Sequence, residues 1–127
     1  MTKKVTFGTV WNLGLKLPEV EKTTMYGGSA LKVRGRMFAC QAVNKSAEPN
    51  SLALFVDFDQ RDSLIAEDPD TYYVTAHYVN YPCVLVRLSR VQADTLRDLL
   101  NAAWRFEISK AKPKPKLRRR RVAVSKK

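Results

Sequence analysis

Residues 31–43 read LKVRGRMFACQAV, and this stretch decides the fold. Leu31 and Val33 alternate with Lys32 and Arg34, the two-residue period of a strand with one buried face. Gly35, between Arg34 and Arg36, supplies a hairpin turn, and Met37–Val43 forms the returning strand. An antiparallel pair therefore sits in the first half of the chain, and the flanking segments must cover it. Upstream, TFGTVWNLGLKL places Phe7, Val10, Trp11, Leu13, Gly14 and Leu17 on overlapping i, i+3, i+4 positions, the pattern of an amphipathic helix. Thr6 is its expected N-cap and Pro18 its stop, while Gly14 costs the helix about 1 kcal/mol relative to Ala. Downstream, NKSAEPN is a loop and SLALFVDF a strand, and Asp59 is expected to cap a short helix, QRDSLIAE, that DPD ends. Cys83–Leu88 reads as the last strand. Ser89 and Gln92 then have the spacing of a capping box before a helix whose apolar stripe is Leu96, Leu99, Leu100, Ala103 and Trp104. Strands flanked by helices through short connections indicate an α+β fold, an antiparallel sheet with helices packed on one face.

The charge is unevenly placed. The 127-residue chain carries a net +11, yet ten of its 23 basic residues lie in 110–127, where there is no acid. Residues 1–109 hold 13 basic against 12 acidic residues and are expected to form a single domain. The remainder, KAKPKPKLRRRRVAVSKK, alternates Lys with Pro and offers only Leu117 and Val122–Val124 as apolar groups, too few to offset the entropy of ordering. It reads as a disordered basic tail. Its cations, Lys110, Lys112, Lys114, Lys116, Arg118, Arg119, Arg120, Arg121, Lys126 and Lys127, suit phosphate contacts that read no sequence.

Catalytic motifs are absent from the sequence. One histidine, His77, excludes a His-pair metal site, and no Cys-x-x-Cys spacing occurs, so neither metal nor cofactor is expected. Cys40 and Cys83 lie far apart in apolar surroundings and read as small buried hydrophobes in a reducing, cytoplasmic setting. MYGGSALK lacks the phosphate-binding G-x-x-x-x-G-K-[ST] run, so Gly27–Gly28 reads as a tight turn or bulge between strands. Tyr72, Tyr73, His77, Tyr78 and Tyr81 form either a polar-aromatic ligand surface or, the reading burial statistics favour, packed rings with exposed hydroxyls. On the body, Lys32, Arg34, Arg36, Arg87 and Arg90 are candidates for a second phosphate-contacting surface. Charges along the hairpin are also what an edge strand needs to resist aggregation, and that is the preferred reading of Lys32, Arg34 and Arg36.

Several spaced motifs add to this reading. Leu17-Pro18 with Glu21, the strand ending Lys32-Val33-Arg34-Gly35-Arg36, the R-D-x-L helix followed by Asp68-Pro69, and H-Y-x-N-Y-P before the last strand occur in an order that resembles the MmcQ/YjbR family, over Val10 to Phe106. The resemblance implies a two-layer sandwich similar to frataxin or to secretion chaperones, and a DNA-binding role attached to a double-wing arrangement. It brings no catalytic residues with it. The expected function is thus a non-enzymatic nucleic-acid-binding protein, with DNA as partner and a monomer as the default state. The alternative is a protein-interaction or small-ligand-binding module whose tail serves attachment or solubility. No stable membrane association is expected, because the tail has charge but no apolar anchor.

Overall fold

The computed structural model of the chain describes residues 5–25 and 27–110. Six strands, β1 (Val20–Met25), β2 (Gly28–Val33), β3 (Arg36–Gln41), β4 (Ser51–Phe55), β5 (Tyr72–Tyr73) and β6 (Cys83–Arg87), form one sheet in the order β1-β2-β3-β4-β6-β5. Every pairing is antiparallel. Three helices complete the body: α1 (Phe7–Gly14), α2 (Phe58–Glu67) and α3 (Ala93–Ile108). α3 lies across β2, β3 and β4 and packs on α1, while α2 contacts β5 and β6. The α+β architecture read from the sequence is the one observed.

The hairpin at residues 31–43 folds as its sequence dictates. Val33 pairs with Arg36, leaving Arg34 at φ 51° and Gly35 at φ 79° as the two turn residues. Both lie in the left-handed region, which gives the turn the twist that paired strands require and makes Gly35 suited to its place. The register slips between Leu31, opposite Ala39, and Lys32, opposite Met37. Phe38 is the extra residue of the bulge, and it lets consecutive residues Phe38 and Ala39 both enter the core at zero exposure. Around them the core gathers Val10, Leu31, Val33, Leu52, Leu54, Val84 and Val86 with Leu96, Leu100 and Ala103 of α3.

Three expectations need correction. Val20–Met25, a polar run of Glu, Lys and Thr with no alternating apolar face, forms β1, so β2 and β3 are interior strands and not an edge. The polar edge that resists aggregation is β1 itself. Gly27, at φ 82°, turns β1 into β2. The cap of α2 is Asp57, whose carboxylate accepts from Gln60 N at 2.7 Å, and not Asp59. Val56 is fully buried and donates to Pro82 O, so the chain first leaves the sheet at Asp57. Ser89 and Gln92 form no capping box: Arg90 N and Val91 N both turn back to Arg87 O, which spends Ser89 on a separate turn, and Gln92 caps α3 without a side-chain bond.

At α1 the expectation holds, with Thr6 and Thr9 making a reciprocal capping box. Gly14 has a reason that helix propensity misses. A Cβ there would lie 2.2 Å from Leu31 Cδ1, and Leu31 is wholly buried. The absent side chain is what lets α1 close on β2. Gly14→Ala should therefore lower stability, because overpacking costs about 1–3 kcal/mol and exceeds the propensity gain of about 1 kcal/mol. A urea midpoint at or above that of the native chain would contradict this account of the α1–β2 contact.

Candidate functional site

The five candidate cations of the body divide by their partners. Arg34 grips Glu19 through two bonds of 3.2 and 3.1 Å. Arg87 grips Glu48 at 2.9 and 2.7 Å, donates to the carbonyls of Pro69 and Asp70, and lies 4.1 Å from the Tyr73 ring centroid. That pairing holds the Glu48 carboxyl below its ordinary range. Its contribution to stability is present at neutral pH and fades as acid protonates Glu48. Arg36 donates to Glu107 Oε1 at 2.9 Å. Lys32, opposite Glu21 in the β1–β2 register, and Arg90 enter no ion pair among the described residues. Three of the five positive charges thus face carboxylates of the same chain.

The tyrosines serve two loops. Tyr72 is buried in β5, where burial first and then Asp68 and Glu67 push its hydroxyl pKa up. Tyr73 brings its hydroxyl to Glu48 N at 2.8 Å and to Ser51 Oγ at 2.5 Å. The Ser46 and Thr75 hydroxyls meet at 2.8 Å. These contacts clasp loop 42–50 to β5 and to the start of loop 74–82. Of the five ring-bearing candidates, His77 and Tyr81 are exposed, with the His77 ring edge-on to Tyr78 at 4.8 Å.

Cys83 lies beneath that clasp, with its Sγ 3.9 Å from Tyr78 O. Cys83 sits opposite Phe55 of β4, whereas Cys40 sits opposite Ala53, so intervening β4 keeps the two sulfurs from bridging. Burial pushes the Cys40 thiol up to about 12 and the Cys83 thiol up to about 11, so both stay protonated at neutral pH. Neither is an activated nucleophile. Among the described residues no group of three or more His, Cys, Asp or Glu side chains could hold a metal ion.

A groove of about 290 Å³ opens at the end of the sheet nearest the β2–β3 turn. Gly35, Arg36 and Met37 form one wall, Phe55 and Pro82 another, and Glu107 and Lys110 of the α3 terminus the third. Glu107 is only 4% exposed, held by Arg36 at 2.9 Å and by Lys110 at 3.8 Å. Lys110 also places its ammonium 3.8 Å from the Phe106 ring centroid. The first cation of the basic tail is thus fixed at the rim of this groove; the others, Lys112 to Lys127, lie outside the described residues.

Sequence reasoning passed over Glu107, although a signal was there. The α3 core positions run Leu96, Leu100, Ala103 and then Glu107, so a carboxylate continues an apolar stripe. A buried charge at such a position needs a partner, and Arg36, 71 residues earlier, supplies it. Because the Arg36 side chain is 41% exposed and Glu107 is not, the two are not equivalent. Arg36→Met should destabilise the fold by about 1–3 kcal/mol, since it leaves a buried carboxylate with only the longer Lys110 contact at 3.8 Å. Glu107→Gln should cost less, because the freed guanidinium can hydrate. Equal losses in chemical denaturation, or the reverse order, would contradict this asymmetry.

Comparison with known proteins follows the same outline. The structure is similar to the crystal structure of Deinococcus radiodurans protein DR2400, a DUF419 domain, with a TM-score of 0.71 and 22% identity over 91% of this chain and 87% of that one. The likeness is one of fold. In sequence, the chain is 40% identical over 48 residues to the uncharacterized proteins Rv2570 of Mycobacterium tuberculosis and Mb2600 of Mycobacterium bovis. That match spans 38% of this chain and 37% of each relative. A family model described as YjbR matches residues 15–106, from the end of α1 to the last turns of α3, and the chain belongs to the YjbR family.

Proposed function

We propose that the protein is a non-enzymatic nucleic-acid-binding protein that engages DNA mainly through phosphate contacts from its basic tail. One observation carries the reading: three of the five candidate cations of the body are paired with carboxylates of the same chain, while the tail starts at an anchored Lys110. Arg34, Arg36 and Arg87 face Glu19, Glu107 and Glu48. A phosphate that displaced any of them would have to break a formed ion pair. The tail carries ten cations and no acid, and its four consecutive arginines, Arg118–Arg121, suit bidentate phosphate contacts. Lys32 and Arg90, which enter no ion pair among the described residues, can add to this set.

The high thiol pKa values and the exposed, loop-borne His77 support a binding role over a catalytic one. No described helix is long and apolar enough to cross a membrane. Free, protonated thiols fit the reducing cytoplasm, where we place the protein.

Salt dependence is the test. If the tail neutralises six to ten phosphates, affinity for duplex DNA should fall about 10³–10⁵-fold between 50 and 200 mM salt. Replacing Arg118, Arg119, Arg120 and Arg121 together by Ser in the full chain should lower the log–log salt slope by about 3–4. A variant that keeps the native affinity and slope would overturn the tail-centred reading.

A further inference from the structure

The surface next to the groove has the opposite charge. Six of the chain's twelve acidic residues lie between residues 57 and 70, all exposed, against the single base Arg61. Arg61, itself buried, offsets one of them, donating Nε to Asp62 Oδ1 at 3.2 Å, and leaves the other five without a base from this stretch. Its guanidinium donates to Val79 O at 2.8 Å and Tyr81 O at 3.3 Å and lies 4.8 Å from the Phe58 ring centroid. These bonds draw segment 79–81 against α2. They leave Phe58, Val79 and Tyr81 exposed at 44%, 41% and 56%, three of the five large hydrophobic side chains so exposed among the described residues. Acidic and apolar groups therefore share one face, formed by α2 and segment 79–81.

We propose that this face is the docking surface for the chain's own residues 111–127. Position is the first argument. Lys110 and Pro82 line the same groove, Pro82 follows Tyr81, and Pro82 O accepts from Val56 N, one residue before the Asp57 cap of α2. The tail therefore leaves the body beside the acidic face. Composition is the second. Residues 111–127 bring nine cations, with Leu117 and Val122–Val124 as apolar groups, which complements carboxylates interspersed with Phe58, Val79 and Tyr81. Length is the third. Seventeen residues can span up to about 55–60 Å, whereas the ten-residue α2 is about 15 Å long. A tether of that length raises the local concentration of the tail to about the millimolar range, so weak ion pairs suffice.

Docking of this kind occupies the cations that phosphates would otherwise meet. The acidic face and a nucleic acid thus compete for one tail, and the face sets how much tail is open to ligand. The contact is a property of the chain alone and stands whether or not DNA is the ligand.

Paramagnetic broadening in the full chain tests it. A nitroxide attached through Ser125→Cys leaves the body unaltered, and the protonated thiols of Cys40 and Cys83 react slowly. At about 10 mM salt, amide signals of residues 58–67 and 79–81 should be lost selectively. They should return at about 1 M salt, and in a variant carrying Asp59→Asn, Asp62→Asn and Glu67→Gln. Uniform broadening, broadening centred on another face, or broadening that survives both treatments would overturn the proposal. Mixing spin-labelled chains with isotope-labelled, unmodified ones separates the routes. Loss of signal in that mixture as strong as in the single chain would place the tail on a second copy, contrary to the intramolecular contact proposed.

Discussion

The contact between Arg36 and Glu107 is the constraint that joins the central hairpin to the end of the last helix. Glu107 is a charged group at a core position of α3, and without a partner its desolvation would be costly. Arg36 reaches it only because Arg34 and Gly35 turn tightly, so that the first residue of β3 points across the sheet end toward the helix terminus. The pair ties the central hairpin to the last helical turn. It thereby shapes the groove and holds Lys110 at its rim. The last turn of α3 and the origin of the tail are thereby tied to the β2–β3 turn through one 2.9 Å bond.

Four local sequence patterns were sufficient. Alternation at Leu31–Arg34, Gly35 at the turn, the Thr6 cap and the α3 stripe each specify their element through contacts a few residues long. β1 was not legible, because an edge strand of Glu, Lys and Thr is held by the ladder to β2 and not by its own pattern. The two misplaced caps failed for a related reason. Asp57 and Asp59 have the same chemistry, and only the burial of Val56 beneath the Pro82 bond decides between them. Ser89 and Gln92 had the right spacing in a place where the backbone first makes another turn.

The candidate site was legible as charge and not as geometry. Counting residues shows that the tail holds nearly all of the net charge, but no pattern shows that Arg34, Arg36 and Arg87 are each spent on a distant carboxylate. Those partners lie 15, 71 and 39 residues away. The tyrosines were likewise visible as a cluster, while the work of Tyr73 in holding loop 42–50 to β5 depends on Glu48 and Ser51. The result is a body of nearly balanced charge that is polarised, with an acidic end around α2 and a basic segment rooted beside it.

The central claim is that body arginines hold the fold while the tail meets phosphate. Titrating the isotope-labelled full chain with duplex DNA at low salt and following both backbone amides and arginine Nε–H signals tests it directly. The account predicts shifts from Lys110 onward, and in residues 58–67 and 79–81 as the tail leaves them, with the Nε–H signals of Arg34, Arg36 and Arg87 unmoved. Shifts centred on the β2–β3 turn, with those arginine signals displaced and the tail unaffected, would contradict it.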